Sequence, residues 1–221
     1  MAKHLDLEEQ EQLDQIKHFW NRYGNLISWV LIVVLGGFAA WNGWNWWQRN
    51  QAVKAAALYD EIERAVIAKD QPRIERALAD MQSGFGSTLY ASQAALLAGK
   101  SLFEAGQADK ARAALSWAVE KSSDPSYQAV ARLRLAGLDI EAQAFDQALK
   151  TLEAPVPKSF EPLVADRRGD VYLAQGKADE ARTQYQTAWR TLSDRAEYRR
   201  LVEVKLAALG VNTASLAPAK P

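Results

Sequence analysis

The sequence predicts an all-α protein: a single N-terminal transmembrane helix followed by a solenoid of helix pairs. Three observations carry that expectation. Residues 25 to 48 contain no charged side chain. The rest of the chain is dominated by Ala, Leu, Gln, Arg and Glu, all good helix formers, with no alternating strand pattern of useful length. Three stretches of its second half also repeat one another, with alanines spaced by 37 and 33 residues.

Taken in order, residues 1–25 form a tail with a short amphipathic helix. It carries five acids (Asp6, Glu8, Glu9, Glu11, Asp14) against three bases (Lys3, Lys17, Arg22). The apolar run 26–47 follows, and its 22 residues suffice to cross a hydrocarbon core of about 30 Å as a helix. A cleaved secretion signal is the rival reading, since "GGFAA" supplies small residues after an apolar stretch. Such a signal starts with a short basic region and has an apolar core of roughly 7–15 residues, neither of which is found here. The run instead continues into Trp41, Trp44, Trp46 and Trp47, a concentration of indoles suited to a membrane interface. The span is therefore read as uncleaved and seated in the lipid bilayer. Lys17 and Arg22 on one side balance Arg49 and Lys54 on the other, so the positive-inside rule leaves the orientation open. Gly36, Ala40 and Gly43 form a smooth strip at i, i+4 and i+7, a candidate contact face for another membrane helix.

Residues 48–209 read as one helical domain. Breakers such as "KDQP" (69–72), "SGFGS" (83–87), "SSDPS" (122–126) and "APVPKSFEP" (154–162) divide it into helix-length segments. The stretches "LFEAGQADKARAALSWA" (102–118), "DIEAQAFDQALKTL" (139–152) and "YLAQGKADEARTQYQTAW" (172–189) share a pattern. In each, a helix and a short turn lead to an aspartate, with an alanine two residues later: Ala111, Ala148 and Ala181. A period near 34 is that of the tetratricopeptide repeat. The last unit resembles it in detail through Gly169, Tyr172, Ala181, Tyr185 and Ala188. The first matches with Gly99, Leu102, Ala111, Leu115 and Ala118. The middle unit is weaker, with Ala136, Asp139, Ala148, Leu152 and Pro155. Ala77 marks a degenerate earlier unit, and helix 195–209 is expected to cap the stack with a polar outer face. Residues 210–221 read as a disordered tail.

The chain offers little catalytic chemistry. It contains no cysteine, and both histidines, His4 and His18, precede the span. Thiol and Ser-His catalysis are thus unavailable to the large domain, and no phosphate-cradling glycine loop is present. Glu61 with Glu63, and Asp139 with Glu141, are spaced two apart on helices and read as solvated charges rather than acid pairs. After residue 49 there are 23 bases and 22 acids, which points to no nucleic acid partner. The expectation is a binding protein and no enzyme, with no catalytic residue, no metal and no cofactor.

The order "EEQEQLDQIKHFWNRYG", one span, a lightly charged helical region, then "VADRRGDVYLAQGKADEARTQYQTAW" resembles the YfgM-type ancillary subunits of the bacterial SecYEG translocon. The resemblance covers most of the chain and is most specific at 164–189. It implies a single-pass inner-membrane protein with a cytoplasmic N-terminus and a periplasmic repeat domain. It also implies association with SecYEG and the chaperone PpiD, assisting client polypeptides as they emerge. A tetratricopeptide scaffold for cell-envelope assembly or division would share the same anchor and repeats.

Stacks of this kind bind extended segments along the side lined by the first helix of each pair, here roughly 91–105, 127–142 and 162–175. Tyr90, Gln93, Lys100, Tyr127, Arg134 and Arg167 are the candidate partner-binding residues. Basic and aromatic side chains there combine carboxylate pairing with adaptable apolar contact.

Overall fold

A computed structural model describes residues 7–193 and 197–216. Among these residues the chain is helical throughout and contains no strand. Its contacts divide it into two units, Met1–Gln51 and Ala52–Pro221.

The described residues of the first unit lie within helix α1 (Leu7–Ile67). It holds the one helical stretch among the described residues that is long and apolar enough to cross a membrane. Its apolar side chains cover no core: Leu31, Val33, Leu35 and Phe38 all stand more than half exposed. That arrangement is costly in water and ordinary in lipid. Polar groups within it are satisfied locally, Asn42 donating from Nδ2 to the Phe38 carbonyl at 3.1 Å. Aromatic residues pair at both ends, Phe19 with Tyr23 at 5.1 Å and Trp44 with Trp47 at 5.3 Å between centroids. A Cβ added at Gly36 or Gly43 would meet nothing within 4 Å.

The second unit is a stack of helix pairs. The end of α1, from residue 52, pairs with α2 (Gln71–Phe85). Then come α3 (Leu89–Glu104) with α4 (Ala108–Lys121), α5 (Pro125–Glu141) with α6 (Phe145–Thr151), and α7 (Glu161–Ala174) with α8 (Ala178–Thr191). Helix α9 (Glu197–Ala208) closes the series. Starts are fixed by short polar side chains that satisfy free backbone N–H groups. Asp70 accepts from Arg73 N at 3.1 Å, Thr88 from Ala91 N at 3.3 Å, and Asp124 from Ser126 N at 2.7 Å. Pro125 follows Asp124 at the first helical position, where its missing N–H costs nothing.

One turn recurs in all four pairs. A residue in the left-handed conformation ends the first helix: Lys69 (φ 55°), Gly106 (76°), Gln143 (57°) and Gly176 (76°). The next residue's N–H then reaches back five places, as in Gln107 to Leu102 O (2.9 Å) and Ala144 to Asp139 O (2.8 Å), closing a Schellman motif. Counted from this turn, Ala111, Ala148 and Ala181 are equivalent, and all three are fully buried. In the first pair the equivalent residue is Ile74. Ala77 is buried as well, but it lies three residues beyond the repeat position.

Close packing explains the small residues. A Cβ on Gly99 would come within 2.9 Å of Leu115, and one on Gly169 would overlap the Tyr185 ring. Three buried clusters result. Ala55, Ile62, Ile74, Met81 and Leu102 belong to the first, which reaches α5. Ala136, Ala148, Leu152 and Val171 form the second, and Ala181, Tyr185, Val202 and Leu206 the third.

Three sequence expectations need correction. Asp139 is not solvated: it is 1% exposed, with Arg112 Nη1 2.6 Å from its Oδ1. It occupies the repeat position held by Leu102 and Tyr172 in the neighbouring units, which faces the interior. The outer face of α9 is not purely polar, because Leu201 and Val204 stand 47% and 65% exposed among Glu197, Arg200 and Glu203. Residues 210–216 are ordered, since the turn at Gly210 sends the chain back over α9. Thr213 Oγ1 donates to Glu203 at 2.6 Å, and Val211 and Leu216 pack on the third cluster. The remaining five residues of the expected tail, like 194–196 at the start of the expected cap helix, lie outside the described residues.

Candidate partner-binding groove

The first helices α3, α5 and α7 touch one another in sequence and form one layer of the stack. Their free sides line an open groove that includes Lys100, Phe103, Arg134, Gly137, Glu141 and Arg167. The three predicted bases are thus brought together. Arg134 and Arg167 occupy the same repeat position, counted from the turns at Gln143 and Gly176. Lys100 sits one helical turn later in its own helix, level with Gly137 in the next.

The bases differ in how they are held. Lys100 makes only a loose pair with Glu104, at 3.7 Å and with both side chains exposed. Arg134 donates from Nη1 to the Leu96 carbonyl at 2.6 Å, and no carboxylate among the described residues lies within ion-pair distance of it. Partial burial pulls its guanidinium below the usual arginine range. Arg167 touches Asp170 at 3.4 Å, while its buried Nε–H finds no protein acceptor.

The predicted aromatic residues gather nearer the helix starts. Gln93 Nε2 donates to the Tyr127 hydroxyl at 2.6 Å, across one repeat. Tyr90 stacks at 5.8 Å against Tyr59 from α1, a residue the sequence reading did not single out. Burial first, then the neighbouring Glu63 carboxylate, raises the Tyr59 phenol above its usual range.

At the far end, Asp170 ties the groove to α9. Lys205 Nζ lies 2.6 Å from Asp170 and 2.8 Å from both oxygens of the buried Asp166. Tyr198 donates to Asp166 at 2.6 Å, and Tyr185 to Asp170 at 2.8 Å. Burial, followed by these carboxylates, pushes both phenols far above their ordinary range. Every member of this cluster has a partner, so it acts as a buried fastener. Elsewhere among the described residues, no group of three His, Asp or Glu side chains is placed to hold a metal ion.

Gly137 is a second residue that sequence reasoning missed. It interrupts the middle of α5, where glycine costs about 0.5–1 kcal/mol relative to alanine. No helix crossing requires it, since a Cβ there would meet only Arg167 Nη1, at 3.8 Å. The signal was available: an isolated glycine in a helical pattern, beside the alanine that already serves the crossing.

Comparison with known proteins places this geometry among relatives. Residues 17–211 match the tetratricopeptide repeat-like domain family. The chain is 33% identical over 210 residues to the "Ancillary SecYEG translocon subunit" of Neisseria gonorrhoeae, covering 95% of this chain and all of that protein. It is 28% identical to the protein of that name in Haemophilus influenzae, over 82% of this chain and 89% of the relative. For the Escherichia coli K12 protein the identity is 27%, over 80% of this chain and 85% of the relative.

Proposed function

The chain belongs to the ancillary SecYEG translocon subunit family, and on that premise we propose that it is a non-catalytic accessory of the Sec channel. In this reading α1 anchors it in the bacterial inner membrane, with the N-terminus cytoplasmic and residues 48–209 in the periplasm. The repeat domain then stands where polypeptides leave SecYEG and assists them together with the chaperone PpiD. The observation that carries the proposal is the full-length match to the Neisseria protein of that name, running through the apolar helix and the repeats alike. The groove supports it physically. A layer of adjoining first helices offers cations and aromatic rings to an extended polypeptide without fixing its sequence.

Purification of the tagged full chain from detergent-solubilised membranes, followed by mass spectrometry, tests the reading. SecYEG and PpiD should be the leading partners. Recovery of envelope-assembly or division proteins in their place would replace the translocon role with that of a scaffold.

A further inference from the structure

We infer that the amphipathic segment 12–23 of α1 is a second membrane contact, lying along the headgroup boundary with Leu13, Ile16, Phe19, Trp20 and Tyr23 turned into the acyl region. The inference rests on the reading of residues 26–47 as a membrane span and adds where the tail before that span resides.

Periodicity separates the segment from the span. At about 100° per residue, the five apolar side chains fall within an arc of about 120° of helix surface. Gln15, His18, Asn21 and Arg22 lie outside that arc. From Leu26 to Leu35 only Ser28 is polar, so the span is apolar on every side. A helix with one polar face does not fit inside the hydrocarbon. One whose apolar side chains stand between 40% and 64% exposed is equally costly in water. The boundary between the two media satisfies both faces.

The side chains suit that boundary. Trp20 and Tyr23 each join an apolar ring to a donor that headgroup oxygens can meet. Lys17 flanks the arc beside Leu13, and Arg22 flanks it beyond Phe19, its Cζ 5.8 Å from the centre of the Tyr23 ring. Their long stems let both charges reach the phosphates while the rings stay below. Lys17 lies 3.3 Å from Asp14 with both side chains exposed, a pair that a phosphate can replace at little cost. Two bases against one acid leave little net charge, so apolar burial seats the segment. Asp6, Glu8, Glu9 and Glu11 precede the stripe and mark its limit.

Continuity with the span names the occupant. The stripe ends at Tyr23 and the span begins at Leu26, so the leaflet surface is always within reach of it. The spacing 13, 16, 20, 23 would also serve a two-stranded coiled coil, but Phe19 widens the stripe beyond such a seam. Laying the segment down requires a bend, and Gly24–Asn25 supplies its place, since these two residue types favour helix ends over helix interiors. In the structure α1 runs unbroken through Gly24, and the Trp20 ring lies over it, 3.1 Å from where a Cβ would stand.

The chain contains no cysteine, so single cysteines can carry nitroxide labels in the full-length protein. It is reconstituted in bilayers of phosphatidylethanolamine and phosphatidylglycerol, and each label is tested for access to oxygen and to a water-soluble nickel complex. Labels at 13, 16, 19, 20 and 23 should gain oxygen access and lose nickel access, while those at 15, 18 and 21 should do the reverse. The pattern should survive high salt, which weakens charge attraction but not apolar burial. Ile16→Asp combined with Phe19→Asp should return the labels at 13, 20 and 23 to nickel. Nickel access on both faces would mean that the segment stands in water. Loss of both reagents along the stripe would mean that protein, a second copy included, covers it. Either result, or a pattern erased by salt, overturns the inference. Labels at Leu31 and Val34 distinguish the two readings. If these meet nickel, the span itself is misread; if they lie in lipid while the stripe meets nickel, this inference alone fails.

Discussion

The last helix pair and the middle one solve the same packing problem in opposite styles. In α7/α8, Gly169 admits the Tyr185 ring, Gly176 makes the left-handed turn, and both helices run 14 residues. In α5/α6, alanine replaces the crossing glycine, Gln143 is forced to φ 57°, a buried aspartate takes an apolar position, and α6 has only 7 residues. The middle pair departs from the repeat at each of these points, and it also carries Gly137 and Arg134. Departures from local rules concentrate where a protein is used rather than merely folded. Both pairs line the groove, the irregular one through Arg134, Gly137 and Glu141 and the regular one through Arg167.

The largest expected difference between them comes from glycine. Gly169→Ala forces a methyl into the Tyr185 ring and should destabilise the chain by about 3 kcal/mol, the upper range for overpacking. Gly137→Ala, one pair earlier, should raise stability by about 0.5–1 kcal/mol. Thermal unfolding of both variants, followed by far-ultraviolet circular dichroism, checks the opposite signs. If Gly169→Ala melts as the parent does, the two crossings are not different in kind.

A second contrast lies in charge. Arg112→Leu strands the carboxylate of Asp139 in the interior and should cost about 2 kcal/mol, less than a fully buried pair because Arg112 is partly exposed. Adding Asp139→Leu should recover most of that loss, turning the middle unit into a copy of its neighbour. Denaturant midpoints of the two single variants and the double variant decide it. A double variant no better than Arg112→Leu would show that the pair was not the cause.

The turns predict a smaller gain. Gln143→Gly relieves a left-handed side-chain conformation and should add about 1 kcal/mol, whereas Gly176→Gln should lose a similar amount. Equal stability of all three proteins would mean that the turn carries no strain.

At neutral pH the last comparison predicts no change at all, and the effect appears only in alkali. Tyr185 and Tyr198 hold their protons above the ordinary phenol value of about 10. A pKa raised in the folded state means stability that is complete below pH 10 and lost as pH climbs toward the folded value. Tyrosinate absorbance should therefore lag for these two residues, and α7–α9 should loosen in alkali before α5/α6. Tyr198→Phe should flatten that dependence in hydrogen exchange of α9.

The helix pairs were legible in the sequence because their signals are local: Asp124–Pro125, Gly106 and Gly176 punctuate the chain where the backbone needs them. The crossing alanines were legible through their period, and so was the gathering of Lys100, Arg134 and Arg167 along one layer. What stayed hidden depends on context. An aspartate reads alike whether solvated or buried, and only the repeat register shows that residue 139 points inward. Gln143 and Lys69 conceal left-handed turns that glycine would have announced, which is why the first pair was aligned on Ala77 instead of Ile74. Tyr59 was missed because its helix continues the membrane segment and carries no repeat signature.

The fastener around Asp166 sets an order of events during synthesis. Its carboxylate is buried and needs Tyr198 and Lys205, which lie 32 and 39 residues downstream. A chain interrupted after α8 would carry that charge without its counter-ion, so the final pair cannot lock until α9 has left the ribosome. The middle pair closes earlier, once α7 has supplied Val164 and Val171. A product truncated after α8 should therefore carry an open terminal repeat that added protease cleaves, where the full chain resists.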